Sequence, residues 1–251
     1  MPEIQEPLVG GNASGEVLRI GMTVRKPWLE STPSVQRFMA HLREQGLTVP
    51  QPLGKDAQGR QVTEFVPGTP APHDRPLPLE VLEEVGRLIR RIHDAAESVD
   101  RSPDDAWSTL IPVPHANLIC HNDLAPWNLV AGEHLAFIDW DGAGPSTRLW
   151  DLAYAAQSFA FLVADEDPGR AAARLRALVL DGYRAAADLR AQLPGAMAAR
   201  TQAMHGFLRE SHRGDVQPWG RMFEDGHGQH WARATRFVKE HETLWAQALR
   251  A

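Results

Sequence analysis

The chain reads as an α+β protein in two unequal parts: a small antiparallel sheet with one helix over residues 1–67, and a larger, mainly helical part over residues 68–251. Three observations predict this. Before residue 66 most of the chain falls into short strand-like segments separated by glycine-rich turns, the signature of strands joined by tight connections. Pro67-Gly68-Thr69-Pro70-Ala71-Pro72 then interrupts every periodicity and marks the boundary. Beyond it, apolar residues recur at helical spacing over long stretches.

Strands are expected near Leu8–Val9, Glu16–Ile20 and Thr23–Lys26. The connection Gly10-Gly11-Asn12-Ala13-Ser14-Gly15 offers backbone N–H groups with little side chain in the way, a shape able to approach a phosphate as well as to make an ordinary hairpin. In a strand over Thr23–Lys26, Val24 and Lys26 share one face and Arg25 points to the other. Thr32 as N-cap and Pro33 in the first turn open a helix whose Val35, Phe38, Met39 and Leu42 form an apolar stripe ending at Gly46. Two further strands are expected near Gln51–Leu53 and Gln61–Val66.

In the second part, Leu79–Val99 carries Leu82, Val85, Leu88, Ile89 and Ile92 on one stripe, with acids early and arginines late, as the helix dipole favours. Leu149–Ala164 is apolar almost all round and reads as a buried helix, and further helices are expected at about 169–187, 194–212 and 229–249.

Between the first two of these helices lies the most informative stretch, residues 118–141. Leu118–Cys120 and Leu135–Ile138 read as short strands, each delivering polar residues at its end: His121, Asp123 and Asn128 after one, Asp139 and Asp141 after the other. Scaffolds commonly aim functional side chains from such positions. A carboxylate, an amide and another carboxylate make a site for a hard cation that shares its remaining coordination with phosphates and water. Asn128 and Asp139 suit the metal, and Asp123 suits a base for an attacking hydroxyl. With a glycine loop and a lysine, this is the equipment of phosphoryl transfer.

Composition sets the outer limits. A net charge of −6 gives no basic field for nucleic acid. No stretch approaches the roughly 18 apolar residues of a membrane span, and the single cysteine, Cys120, excludes an internal disulfide and fits a reducing, cytoplasmic setting. Cys120 itself reads as a small buried residue. His227-Gly228-Gln229-His230 reads as a solvated loop, and Trp219, Trp231 and Trp245 as packing residues. Glu224 and Asp225 sit in a polar loop that could hold amines, though surface charge explains them as well.

The residues His121-Asn122-Asp123-Leu124-Ala125-Pro126-Trp127-Asn128 fit the H-x-D-x-x-x-x-N catalytic loop of kinase-like enzymes. With Ile138-Asp139-Trp140-Asp141 and Asp151-Leu152-Ala153, the series resembles the aminoglycoside phosphotransferase and choline kinase branch of that superfamily. The resemblance implies a two-lobed protein-kinase-like fold and an O-phosphotransferase using ATP, or GTP, with Mg²⁺. It implies Asp123 as base, Asn128 and Asp139 as metal ligands, and Lys26 on the phosphates beneath Gly10, Gly11, Ser14 and Gly15. Glu64, Phe65 and Val66 become the hinge facing the nucleotide base, and Asp151 and His121 become residues that fix the loop. The partners implied are a nucleotide and a small-molecule hydroxyl acceptor, an aminoglycoside-like antibiotic among the candidates. Neither nucleic acid nor membrane is expected as a partner, and the chain is expected as a monomer or weak dimer.

Two departures stand out. The helix after the lysine strand offers Gln36 where such enzymes place a glutamate, so Lys26 either bonds Gln36 or lacks its usual partner. Asn122 replaces the arginine of protein kinases, and no long activation segment separates Asp139 from Asp151, which favours a small-molecule acceptor over a protein. The alternative to an enzyme is a kinase-like module that binds nucleotide or antibiotic with little or no turnover. Retention of Asp123, Asn128 and Asp139 favours the enzyme.

Overall fold

The short strands before residue 66 pair as one antiparallel sheet in the computed structural model, which describes residues 5–8 and 15–250. Its strands are β1 (Gln5–Pro7), β2 (Leu18–Ile20), β3 (Thr23–Lys26), β4 (Pro52–Lys55) and β5 (Gln61–Glu64), in the order β1-β2-β3-β5-β4. Gly21 turns β2 into β3 at φ +57°, a left-handed conformation that glycine adopts without a Cβ clash. β3 then runs beside β5 along its whole length, which sets Lys26 opposite Gln61.

Helix α1 (Thr32–Glu44) buries Val35, Phe38, Met39 and Leu42, the stripe read from the sequence. The expected cap is displaced by one residue. Ser31 occupies the cap position without a side-chain bond, and the Thr32 hydroxyl instead accepts from Leu29 N at 2.9 Å, closing the preceding turn.

After residue 67 the chain joins different partners. Strand β6 (Thr69–Pro70) pairs with β8 (Leu129–Ala131), which pairs in turn with β9 (Leu135–Phe137), while β7 (Leu118–Cys120) pairs with β10 (Gly144–Ser146). Helix α2 (Leu79–Ala96) matches its predicted span closely. Strands β8 and β10 were not expected, because three residues give no usable alternation and Gly144-Pro145 reads as a turn.

The remaining helices are α3 (Arg148–Phe159), α4 (Pro168–Arg176), α5 (Ala187–Arg213), α6 (Trp219–Met222), α7 (Gly228–Glu240) and α8 (Glu242–Ala248). The single helix expected at 169–187 is α4 followed by a π-type turn at Ala177–Gly182. The one expected at 229–249 breaks at His241, and the one at 194–212 is part of the longer α5. Among the described residues, no helix is long and apolar enough to cross a membrane.

The π-type turn has a packing consequence. A Cβ on Gly86 of α2 would lie 2.1 Å from Leu178 O, and one on Gly182 would lie 2.5 Å from Glu83 O. Only paired glycines allow this approach, which brings α2 against the turn and puts His93 beside Tyr183.

One apolar core runs from α1 through α2, β7, β9 and α3 to α7 and α8. Phe38 of α1 meets Trp140 edge-on at 5.7 Å, and the Trp140 ring lies 4.4 Å from that of His121. A side chain buried like Phe38, at 1% exposure, contributes about 1.5–3 kcal/mol. This contact seats the small lobe's helix on the residue next to Asp139.

Candidate active site

The polar cluster is built on strained but well-anchored backbone. Asn122 and Asp139 both lie in the left-handed region, at φ +65° and +58°, which costs a non-glycine residue on the order of 1 kcal/mol or more. For Asn122 the compensation is explicit. Its backbone N–H donates to Asp151 Oδ1 at 2.8 Å, and its side-chain amide donates to the carbonyls of Gly142 at 3.1 Å and Gly144 at 3.2 Å. His121, fully buried, bridges the two strand ends: Nε2 meets Ile138 O at 3.1 Å and Nδ1 accepts from Asp123 N at 3.3 Å. That pattern fixes the Nε2–H tautomer.

Asp151 is held from behind by a buried chain of polar groups. Its Oδ2 lies 3.0 Å from His93 Nε2, His93 Nδ1 lies 2.9 Å from the Tyr183 hydroxyl, and Arg148 donates to that hydroxyl at 3.2 Å. Cys120 sits beside His93 and Asp151 with ligand atoms within 4.8 Å, a composition that could suggest a metal. The bonds already made by the imidazole and carboxylate, and a thiol that burial pushes well above its ordinary pKa, make this trio a structural network instead.

Asp123 leaves this framework facing the open side. Asn128 Nδ2 donates to its Oδ2 at 2.7 Å and to its carbonyl at 3.0 Å. Tyr154 of α3 is a neighbour of the carboxylate, and buried Arg200 of α5 stacks 4.4 Å over the Tyr154 ring. Burial raises the pKa of Asp123 above the ordinary carboxylate value, against the opposing pull of His121, Tyr154 and Asn128, and the nearby Asp139 adds to the rise. A carboxylate moved toward neutrality in this way is a stronger base than a solvated one.

Lys26 reaches across from β3 and joins the two parts. Its ammonium bonds Asp139 and lies 3.1 Å from Asp141 Oδ2, while Asp141 Oδ1 accepts from Gln61 Nε2 at 3.0 Å. Desolvation lowers the Lys26 pKa, but the two aspartates more than reverse this, and the net shift is upward. The partner expected from α1 is absent from this arrangement: Gln36 turns to Gly54 O at 3.4 Å. Of the two alternatives, Lys26 lacks the usual partner from α1, and Asp139 and Asp141 take that place.

Of the residues predicted to hold nucleotide, Gly10, Gly11 and Ser14 lie outside the described residues. Gly15 adopts φ +71° next to Pro27. Of the residues expected to form the hinge, Glu64 N–H donates to Gln51 O and Phe65 N–H to Met22 O, both at 2.9 Å, so these two donors belong to the sheet. The Glu64 carboxylate accepts from Gln51 N at 3.1 Å, and Arg19 stacks 3.9 Å over the Phe65 ring. Among the three hinge residues, only Val66 is left to present an N–H to a base.

The donor chemistry fits a hard divalent cation. With its Nδ2 engaged by Asp123, Asn128 turns Oδ1 away as a free acceptor, and the carboxylates of Asp139 and Asp141 supply further oxygens with no sulfur or imidazole among them.

Tyr154, Arg200 and Gln61 were not singled out from the sequence. A tyrosine three residues after Asp151, on a helix otherwise apolar, was the available signal for Tyr154. Trp219 and Trp245 do pack, against Phe207 and in the core respectively, whereas Trp231 both stacks on Tyr154 and lines a cleft. His227-Gly228-Gln229-His230 is not a loop but the junction of a π-type turn with α7.

Comparison with known proteins agrees with this geometry. The model of the "phosphotransferase enzyme family" matches residues 8–110 and 100–189. A trifolitoxin immunity protein from Rhizobium leguminosarum bv. trifolii is 31% identical over 193 residues, covering 70% of this chain and 72% of that protein. Among solved structures, the amicoumacin kinase hAmiN in complex with AMP-PNP, Ca²⁺ and Ami superposes with a TM-score of 0.71 at 14% identity, covering 97% of this chain and 89% of that one. A microcompartment-associated aminopropanol kinase gives 0.67 at 15% identity, covering 99% and 94%. A choline/ethanolamine kinase family protein from Mesorhizobium loti gives 0.63 at 19% identity, covering 99% and 93%. These likenesses establish the two-lobed kinase-like fold, and the chain belongs to the phosphotransferase enzyme family.

Proposed function

We propose that this phosphotransferase moves the γ-phosphoryl group of ATP, or of GTP, to a hydroxyl of a small molecule, with Asp123 as the base. The observation that carries the reading is the meeting of Lys26 from β3 with Asp139 and Asp141 from the other lobe, beside the Asp123–Asn128 pair. Phosphoryl transfer needs positioning and charge neutralisation, and these residues offer both.

Asp123 accepts the acceptor's hydroxyl proton as the new P–O bond forms and the bond to the β-phosphate oxygen breaks. Asn128 keeps the carboxylate oriented toward the acceptor side. Lys26 neutralises phosphate oxygens, and exchanges its aspartate partners for them in part. Asn128 and Asp139 would hold Mg²⁺, with Asp141 as a further oxygen donor; such an ion draws charge from the phosphates during transfer. Glycine-rich residues 10–15 and Val66 fit phosphate and base contacts on the other side of the site.

The relative that confers trifolitoxin immunity supports an acceptor of the toxin or antibiotic type, inactivated by a phosphate. A module that binds without turnover would also give immunity, and the retention of Asp123, Asn128 and Asp139, which such a module need not keep, favours the enzyme.

Thermal stabilisation by nucleotide tests the first half of the reading. Mg·ATP or Mg·GTP at ten to a hundred times Kd should stabilise the fold by about 1.4–2.7 kcal/mol, seen as a rise in Tm. No rise at millimolar nucleotide would remove the nucleotide site and the proposal with it.

A further inference from the structure

A cleft of about 400 Å³ opens beside Pro126 and Trp127, at the lower end of the range for small-molecule sites. Its other walls are the end of α3 with the turn after it, and the start of α7. Two links tie it to Asp123. Trp127 follows Asp123 by four residues on the same loop. Tyr154, a neighbour of the Asp123 carboxylate, stacks on the wall residue Trp231 with ring centroids 6.2 Å apart and planes 19° apart. Gln157 and Ser158, three and four residues beyond Tyr154, continue the same face of α3 into the cleft.

The charge of this wall discriminates among acceptors. Asp165 is the one carboxylate in it, and Arg233, also in the wall, is ion-paired to it. His230 has its pKa held below the ordinary imidazole value by desolvation, by His227 and by Arg233, so it adds no charge at neutral pH. Glu224 and Asp225, the acids that the sequence offered for amines, lie outside the cleft. Both are exposed, and they face His212 at 3.5 Å and Arg221 at 3.9 Å. The rest of the wall offers the imidazole of His73, the amides of Gln157 and Gln229, the Ser158 hydroxyl and the rings of Trp127, Phe161 and Trp231, with no further carboxylate. Trp127 keeps 42% of its surface exposed, an indole face open to stacking.

A primary ammonium taken from water needs a carboxylate to receive it and a polyamine needs several, whereas a quaternary ammonium can be held by aromatic faces alone. Resting on the phosphotransferase reading, we infer that the acceptor is a hydroxyl compound without primary ammonium groups, bearing a planar ring or amide system. That system stacks on Trp127 and hydrogen-bonds the side chains of Gln157 and Gln229, and the hydroxyl reaches Asp123. The site is thereby set apart from one built for an aminoglycoside-like polycation.

The test is acceptor-dependent ADP release with Mg·ATP. The cationic probes are kanamycin and choline. The uncharged ones are chloramphenicol, N-acetyl-seryl-phenylalaninamide and fully N-acetylated kanamycin, the last keeping the hydroxyls of its parent without the charge. At least one uncharged aromatic probe should raise release ten-fold or more over the acceptor-free rate, with kanamycin inactive. Trp127→Ala, at an exposed position, should raise the KM of that acceptor at least ten-fold while the KM for ATP stays within two-fold. Release confined to kanamycin or choline, silence from every uncharged probe, or an unchanged acceptor KM in Trp127→Ala would overturn the assignment. Stabilisation by Mg·ATP separates the two levels: its absence removes the phosphotransferase reading, whereas its presence with cation-only turnover removes the acceptor assignment alone.

Discussion

Asn128 donates to the Asp123 carboxylate at 2.7 Å and to the Asp123 carbonyl at 3.0 Å, so a single amide fixes both the side chain and the backbone of the proposed base. The same contact decides which end of the amide is left for a cation. Asn128→Asp would replace the donor by a like charge at this distance and push one of the two carboxyl groups strongly upward in pKa. We expect kcat to fall about 100-fold or more, with the acid limb of the pH–rate profile displaced to higher pH. An unchanged profile would mean that Asn128 does not govern the base.

The raised pKa of Asp123 carries a stability signature of definite sign. In the unfolded chain the group ionises at its ordinary value of 3.8, and in the folded protein it ionises higher. Between those two values the folded state binds more protons, so this residue's contribution to stability falls as pH rises through the window and stays lost above it. Asp123→Asn has no such loss. Urea melts should show the variant gaining on the wild type as pH rises from about 4, in a protein that no longer transfers phosphate. A stability difference that does not vary with pH would contradict the burial argument.

Lys26 neutralises two aspartates, and its loss leaves them facing each other. Lys26→Met should lower stability by about 1–3 kcal/mol, the cost of stranding partly buried charged partners. It should also raise the KM for ATP. Added Mg²⁺ should restore part of the lost stability, because the cation takes the place of the ammonium between Asp139 and Asp141. Calorimetry with and without Mg²⁺ checks this, and identical melting curves for variant and wild type would show that the bridge contributes nothing.

Much of the site was legible because it is local in sequence. His121, Asp123 and Asn128 lie within eight residues, Asp139 follows at the next strand end, and alternation alone placed Lys26 on β3 with its correct span. The rest depends on groups that meet only through tertiary packing. Tyr154 and Arg200 come to Asp123 from α3 and α5, and no spacing rule joins positions 123, 154 and 200. For Lys26 the sequence left open a bond to Gln36 or the loss of the usual α1 partner, and its bonds to Asp139 and Asp141, more than a hundred residues on, follow from no spacing rule. Glu64, Phe65 and Val66 were read as a hinge from the resemblance, and the claim of the sheet on the N–H groups of Glu64 and Phe65 follows from the β3–β5–β4 register, which sequence patterns do not fix. The helix breaks at 177–182 and 241 escaped for a similar reason: apolar periodicity continues through them while the backbone does not.

The buried chain behind the loop makes a separate prediction. Tyr183→Phe deletes the hydroxyl between Arg148 and His93, leaving His93 Nδ1 without its partner in a site of 0% exposure. Stability should fall by about 1–3 kcal/mol. Because Asp151 then orients Asn122 less firmly, kcat should fall several-fold while the KM for ATP changes little. Equal losses in both constants would instead indicate a general loosening of the fold.

The most direct test of the central claim is the rate of Mg·ATP-dependent phosphorylation of a hydroxyl acceptor by the wild type and by Asp123→Asn, at matched folded protein and saturating nucleotide. The account predicts acceptor-dependent ADP release and a phosphorylated product in the wild type, and a fall of about 100-fold or more in kcat for the variant, with nucleotide-induced stabilisation retained. Undiminished transfer by Asp123→Asn would contradict it.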